Sequence, residues 1–114
     1  MPDFGSPFNC LASDRKLTHE ELVRAVRFAI AAEYEAIQLY MQLAESTDNG
    51  LVKAVMKDVA DEERVHVGEF LKLLYHLAPD EEGFYAEGSN EVNGIMTELK
   101  KSCGGERKGE CTLR

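Results

Sequence analysis

The sequence predicts an all-α protein built from an antiparallel two-helix hairpin and a short C-terminal helix. Apolar residues recur every three or four positions over two long segments, a short polar stretch separates these segments, and no stretch alternates as a β-strand would. A connection of about five residues is too short to reach the far end of the first helix, so the second helix must run antiparallel to the first.

The first helix is predicted over residues 19–45. Thr18 and Glu21 form the sequence pattern of a capping box, in which two side chains satisfy two backbone amides at a helix start. Residues 46–50, with the sequence STDNG, are typical of a turn. The inward stripe of this helix comprises Val26, Ile30, Glu33, Ile37, Tyr40 and Ala44.

The second helix is predicted over residues 51–77, because Pro79 bars its continuation. Residues 80–90 are rich in glycine and polar residues and predict a loop, followed by a shorter helix over residues 91–101. We expect residues 1–17 to form a flexible arm, residues 18–101 a single helical domain, and residues 102–114 a flexible tail.

The composition excludes several classes of protein. The chain has 114 residues and a net charge of −8, and no apolar run approaches the length of a membrane span. An acidic chain is a poor nucleic-acid binder, because contacts with phosphates supply most of that affinity. The three cysteines, Cys10, Cys103 and Cys111, form no Cys-x-x-Cys pair. We therefore expect a cytoplasmic protein with reduced thiols and neither a membrane nor a nucleic-acid partner, although a Cys103–Cys111 bridge stays open.

Charged residues interrupt the inward faces of both long helices. Glu33 falls on the stripe of the first helix, and Glu63 and His66 fall on that of the second. A buried carboxylate costs several kcal/mol unless a cation or a proton accompanies it. Glu33 lies about 15 residues before the centre of the turn, and the other two lie about 15–18 residues after it, so the three should meet at one height.

The Glu63–His66 spacing favours metal binding. Residues three apart share a helix face, so a carboxylate and an imidazole can reach one ion, and such ligands suit iron or manganese. Two other interpretations remain open at this point. Glu62 lies four residues before His66 and competes with Glu63 as the ligand, and the whole acidic segment could be a solvated face paired with Arg64.

The number of candidate ligands predicts a dimer. Carboxylate-bridged di-iron bundles use a glutamate from each of two helices and a Glu-x-x-His pair from each of two others. This chain has one of each, and neither His19 nor His76 belongs to a second such pair. Two chains related by a two-fold axis would complete the site and convert two hairpins into a four-helix bundle.

Residues 32–40 (AEYEAIQLY) and 61–70 (DEERVHVGEF) resemble the encapsulated ferritins, which are short ferritin-like relatives of rubrerythrin carried inside encapsulin nanocompartments. The likeness extends over about residues 18–101. The resemblance implies a ferritin-like four-helix bundle formed by dimerisation, and a decameric ring of such pairs. It also implies a di-iron centre between subunits that oxidises iron(II) with oxygen, for storage of the iron inside an encapsulin shell.

The resemblance also assigns individual residues. It implies that Glu33, Glu63 and His66 are the iron ligands, with Glu63 preferred over Glu62. It places Glu35 on the path by which iron enters and Tyr40 near the centre. Ala32 stands where some relatives have a second glutamate of that path. Residues 111–113 faintly resemble an encapsulin-targeting peptide.

Two alternative functions are compatible with the sequence. One is a rubrerythrin-like peroxide reductase, although without Cys-x-x-Cys pairs the chain carries no rubredoxin domain. The other is a non-catalytic helical interaction module whose inward acidic residues bind no metal.

Overall fold

The chain forms three α-helices in residues 15–104, the part that the computed structural model describes. They are α1 (His19–Glu45), α2 (Gly50–Leu77) and α3 (Glu81–Cys103), with no strand in that part of the chain. The all-α prediction is therefore confirmed. None of these helices is long and apolar enough to cross a membrane. The predicted arm and tail lie largely outside the described residues.

A polar cap fixes the start of α1. The Glu21 amide donates to the Thr18 hydroxyl at 3.2 Å, and the Thr18 amide donates to the Glu21 carboxylate at 2.9 Å, which completes the predicted capping box. The Arg15 guanidinium donates to both Glu21 oxygens, at 2.6 and 2.8 Å. Chiefly because of the Arg15 hydrogen bond, and then that of the Thr18 amide, the pKa of Glu21 falls from 4.5 to about 2.

Because the cap includes the Glu21 carboxylate, the stability of α1 should depend on pH. Folding lowers the pKa of Glu21. The stabilisation that the ionised Glu21 carboxylate gives the folded state is therefore complete above pH 4.5 and is lost as the pH falls towards 2. We expect the thermal stability of the wild type to exceed that of Glu21→Gln at pH 6, and this difference to shrink between pH 4.5 and 2. A difference in thermal stability that stays constant over that interval would contradict the lowered pKa of Glu21. NMR titration should show the pKa of Glu21 rising in Arg15→Ala.

Helices α1 and α2 form the predicted hairpin. Only residues 46–49 join them, and the Asn49 side chain caps α2 by accepting hydrogen bonds from the Leu51 and Val52 amides, each at 3.1 Å. The two helices share one apolar core along their length. Its buried members are Val23, Val26, Ile30, Ile37, Val67 and Leu74, with Met41, Phe70, Leu71, Leu77 and Ala78 partly buried against them.

The prediction of a loop at residues 80–90 was wrong, because α3 begins at Glu81 and runs to Cys103. Acidic Glu81 and Glu82 lie in its first turn, where the helix dipole favours negative charge. The Tyr85 hydroxyl also donates to the Glu81 carboxylate one turn earlier. These local contacts offset the low helix propensity of the segment's glycine and asparagine residues. Helix α3 belongs to a second compact unit that starts at Pro79, whereas the hairpin unit ends at Ala78.

The expectation of reduced thiols was also wrong for one cysteine. Cys103, in the last turn of α3, is disulfide-bonded. The bridge to Cys111 that the sequence leaves open falls on a residue outside the described part of the chain. A disulfide removes the thiol from further chemistry, so Cys103 is not a candidate nucleophile or metal ligand.

Candidate metal centre

The hairpin brings the predicted ligands to one level. Glu33 lies 12 residues before the end of α1, and Glu63 lies 13 residues after the start of α2. At 1.5 Å per residue, both are about 18–20 Å from the turn. His66 follows Glu63 by less than one helical turn, so both side chains project from the same side of α2 towards α1.

The three side chains form a close group. Glu33, Glu63 and His66 each offer one ligand atom, and these atoms lie within 4.8 Å of one another. His66 Nδ1 is 3.7 Å from Glu33 Oε2 and 3.6 Å from Glu63 Oε2. Both distances are longer than that of a good hydrogen bond. The imidazole therefore lies close to both carboxylates without a good hydrogen bond to either.

Burial differs across the group. The Glu33 and Glu63 side chains are 18% and 17% exposed, whereas the His66 imidazole is 45% exposed. Glu33 Oε2 is buried and has no hydrogen-bond partner. Burying a carboxylate oxygen without a partner is costly. A cation bound between the three groups would remove that cost, so the residues present fit a metal ion.

The structure separates Glu63 from its acidic neighbours. The Arg64 guanidinium pairs with Asp61 at 3.1 Å, and both side chains are largely exposed. The interpretation as a solvated face therefore fits Asp61 and Arg64 but not Glu63. Glu62 is exposed and lies outside the group, so its sequence spacing to His66 does not bring it to the site.

The sequence also singled out Glu35 and Tyr40, which are both half-buried on α1. Glu35 does not belong to the three-residue group. Within residues 15–104, no further histidine, cysteine, aspartate or glutamate joins it. Sequence reasoning thus missed no member of this group in the described part of the chain.

The arrangement can bind a divalent cation. Two carboxylates this close repel each other unless a positive charge lies between them. Oxygen ligands combined with one imidazole are a donor set that iron and manganese accept. Three ligand atoms leave coordination positions open on such an ion, and the His66 side chain is 45% exposed.

Comparisons with known proteins show the family to which the chain belongs. The rubrerythrin family profile matches residues 25–109. A ferritin-like–encapsulin shell fusion protein from Pyrococcus furiosus is 40% identical over 91 residues, which cover 80% of this chain and 24% of that protein. The chain thus spans about a quarter of that relative. An encapsulin nanocompartment cargo protein from Myxococcus xanthus is 42% identical over 92 residues, 81% of this chain and 69% of the relative.

A solved structure supports the same family membership. The crystal structure of the encapsulated ferritin domain from Pyrococcus furiosus matches with a TM-score of 0.58 and 40% identity, covering 84% of this chain and 91% of that one. The chain therefore belongs to the rubrerythrin family and, within it, to the encapsulated ferritins.

Proposed function

We propose that the protein is a ferroxidase that binds iron(II) at Glu33, Glu63 and His66 and oxidises it with oxygen. The observation that carries the proposal is that Glu33 Oε2 is buried without a hydrogen-bond partner, within reach of a second carboxylate and an imidazole. Each iron(II) ion gives up one electron, so a pair of ions delivers two electrons to one oxygen molecule, which takes up two protons from water and leaves as hydrogen peroxide. Carboxylates favour this direction because they stabilise the more highly charged iron(III).

Each residue has a defined part in binding. Glu33 and Glu63 supply negatively charged oxygens from opposite helices, so the hairpin holds them at a set separation. His66 presents Nδ1 towards both carboxylates, at 3.7 Å from Glu33 Oε2 and 3.6 Å from Glu63 Oε2. Glu35 is proposed to lie on the route by which iron reaches the site, and Tyr40 to lie beside it.

A second copy of the chain completes the site. One hairpin supplies half the ligands of a carboxylate-bridged di-iron centre. Helix α1 carries exposed apolar side chains within about 120° of Glu33 on the helix circumference, namely Leu22 (40%), Leu39 (51%) and Leu43 (43%). A two-fold axis beside Glu33 would bring both sets of ligands together and cover apolar side chains on this side of α1. The four paired helices then form the ferritin-like bundle, and such pairs assemble into a larger ring.

The proposed setting is an encapsulin nanocompartment in the cytoplasm. The Myxococcus xanthus relative is named as cargo of such a compartment, and the Pyrococcus furiosus relative as a fusion with its shell. We propose that this chain likewise delivers iron(III) for storage inside an encapsulin shell. The candidate targeting residues 111–113 lie outside the described residues.

The membership of the rubrerythrin family makes peroxide reduction the second candidate. An anaerobic iron(II) titration of the wild type, followed by addition of either oxygen or hydrogen peroxide, separates the possibilities. We expect saturation at about one iron per chain, which is two per pair of chains. We also expect iron oxidation to be faster with oxygen than with hydrogen peroxide. Faster turnover with peroxide and an electron donor would favour the reductase. A protein that binds no iron would be an interaction module.

A further inference from the structure

The disulfide at Cys103, in the last turn of α3, has no part in the proposed function. Cys103 does not belong to the group of metal ligands. In the proposed cytoplasmic setting thiols are ordinarily kept reduced, and the disulfides that do form there are usually catalytic or redox-sensing. The bridge therefore needs an oxidant that forms it and a role beyond that of a permanent cross-link.

The division of the chain favours Cys111 as the partner of Cys103. The compact unit that contains α3, Pro79–Arg114, has these two cysteines in its sequence, whereas Cys10 belongs to the hairpin unit. Seven residues separate Cys103 from Cys111, and three of the seven are glycines. A short connection rich in glycine closes on itself at low entropic cost.

The position of the bridge argues against a purely structural role. In the chain-entropy account, a disulfide stabilises a fold by restricting the unfolded chain, and the effect grows with the length of the closed loop. A bridge across so few residues restricts little. The end of α3 is also held by hydrogen bonds of its own, because the Gly104 amide donates to the Lys100 and Lys101 carbonyls at 3.1 and 3.3 Å. The fold therefore gains little from the bridge.

The surroundings of Cys103 suit reversible chemistry. The residue is half-buried, so a small dithiol can reach the bridge, and accessible disulfides are more easily reduced than enclosed ones. Reduction restores the thiol that the disulfide removes. Exposed Lys100 and Lys101 lie in the same turn, and positive charge nearby favours the thiolate, which is the form that attacks an oxidant.

We propose that Cys103 and Cys111 form a reversible redox pair, which hydrogen peroxide closes and a dithiol reductant opens. In closing, one thiolate attacks a peroxide oxygen, the O–O bond breaks, and a sulfenic acid and hydroxide form. The second thiol displaces the sulfenic hydroxyl as water, the S–S bond forms, and the hydroxide takes up the released proton. Two thiols and one hydrogen peroxide thus give one disulfide and two waters.

Opening is the exchange reaction with a dithiol. The bridge gains two electrons and two protons and returns to two thiols, and the dithiol becomes a disulfide. The proposed iron oxidation releases hydrogen peroxide, so the origin of the oxidant rests on the proposed function. The redox pair itself does not, because added peroxide closes it equally.

Tryptic mapping of the full chain identifies the partner of Cys103. The protein is treated with hydrogen peroxide, its free thiols are alkylated, and it is digested without reduction. Cleavage after lysine and arginine places the three cysteines in separate peptides, residues 1–15, 102–107 and 109–114. We expect the last two as one linked species and the first with an alkylated Cys10. An alkylated Cys103, or a link from 102–107 to residues 1–15 or to a second copy of itself, overturns the pairing.

Thiol counts after denaturation test the reversibility. Folded protein treated with dithiothreitol should show three thiols per chain, and one equivalent of hydrogen peroxide should lower the count to one. Cys111→Ser should give no link between peptides 102–107 and 109–114, whereas the matched control Cys10→Ser should keep it. A bridge that dithiothreitol does not open, or that peroxide does not re-form, overturns the proposal. Glu63→Gln should respond to added peroxide as the wild type does, so failure of the proposed iron oxidation leaves this test unaffected.

Discussion

Replacement of Glu63 by glutamine is expected to abolish tight iron binding and the iron-dependent consumption of oxygen. Glutamine keeps the size of the side chain but removes the negative charge that faces Glu33 and His66. Loss of an outer-shell partner alone costs roughly 10- to 100-fold in metal affinity, so loss of a direct ligand should cost more than about 100-fold. Anaerobic iron(II) titration and the initial rate of oxygen uptake measure the two effects.

Glu62→Gln is the matched control for this experiment. It removes the same charge one residue away, from a side chain that is exposed and outside the ligand group. We expect its iron affinity and oxidation rate to stay close to those of the wild type. Equal losses in both variants would indicate a general effect of acidic charge, and an unchanged Glu63→Gln would show that Glu63 is not a ligand.

Replacement of Leu74 by alanine is expected to destabilise the hairpin severely. Leu74 is 1% exposed, and it is the largest fully buried side chain in the described residues. Removing a buried leucine side chain costs about 2–5 kcal/mol, through lost burial and the cavity left behind. A small domain has only about 5–15 kcal/mol of total stability, so the midpoint of urea unfolding should fall markedly.

The adjacent Leu73 provides the control, because the same substitution there removes a side chain that is 44% exposed. We expect Leu73→Ala to lower the free energy of unfolding by less than about 1 kcal/mol at low protein concentration. Comparable losses at both positions would contradict a core centred on Leu74. Because neither residue is a proposed ligand, both variants should bind iron wherever they remain folded.

Helix boundaries were predicted well where strong local signals mark them. The capping box at Thr18 and the proline at position 79 mark ends that the structure places at the same positions, and α2 starts one residue earlier than predicted, at Gly50. The segment before Glu91 was predicted wrongly because its glycine and asparagine residues have low helix propensity. Capping charges and continuity with the helical residues that follow outweigh that weak preference in α3.

The sequence by itself determined the helical period, the length of the turn and therefore the common height of Glu33, Glu63 and His66. These quantities follow from the fixed rise and rotation of an α-helix, which need no knowledge of neighbouring atoms. Only the tertiary structure decided that Glu62 lies exposed outside the ligand group and that Glu33 Oε2 is buried without a hydrogen-bond partner. Side-chain pairing and burial depend on how two helices rotate against each other, and sequence spacing does not specify that rotation to within an ångström.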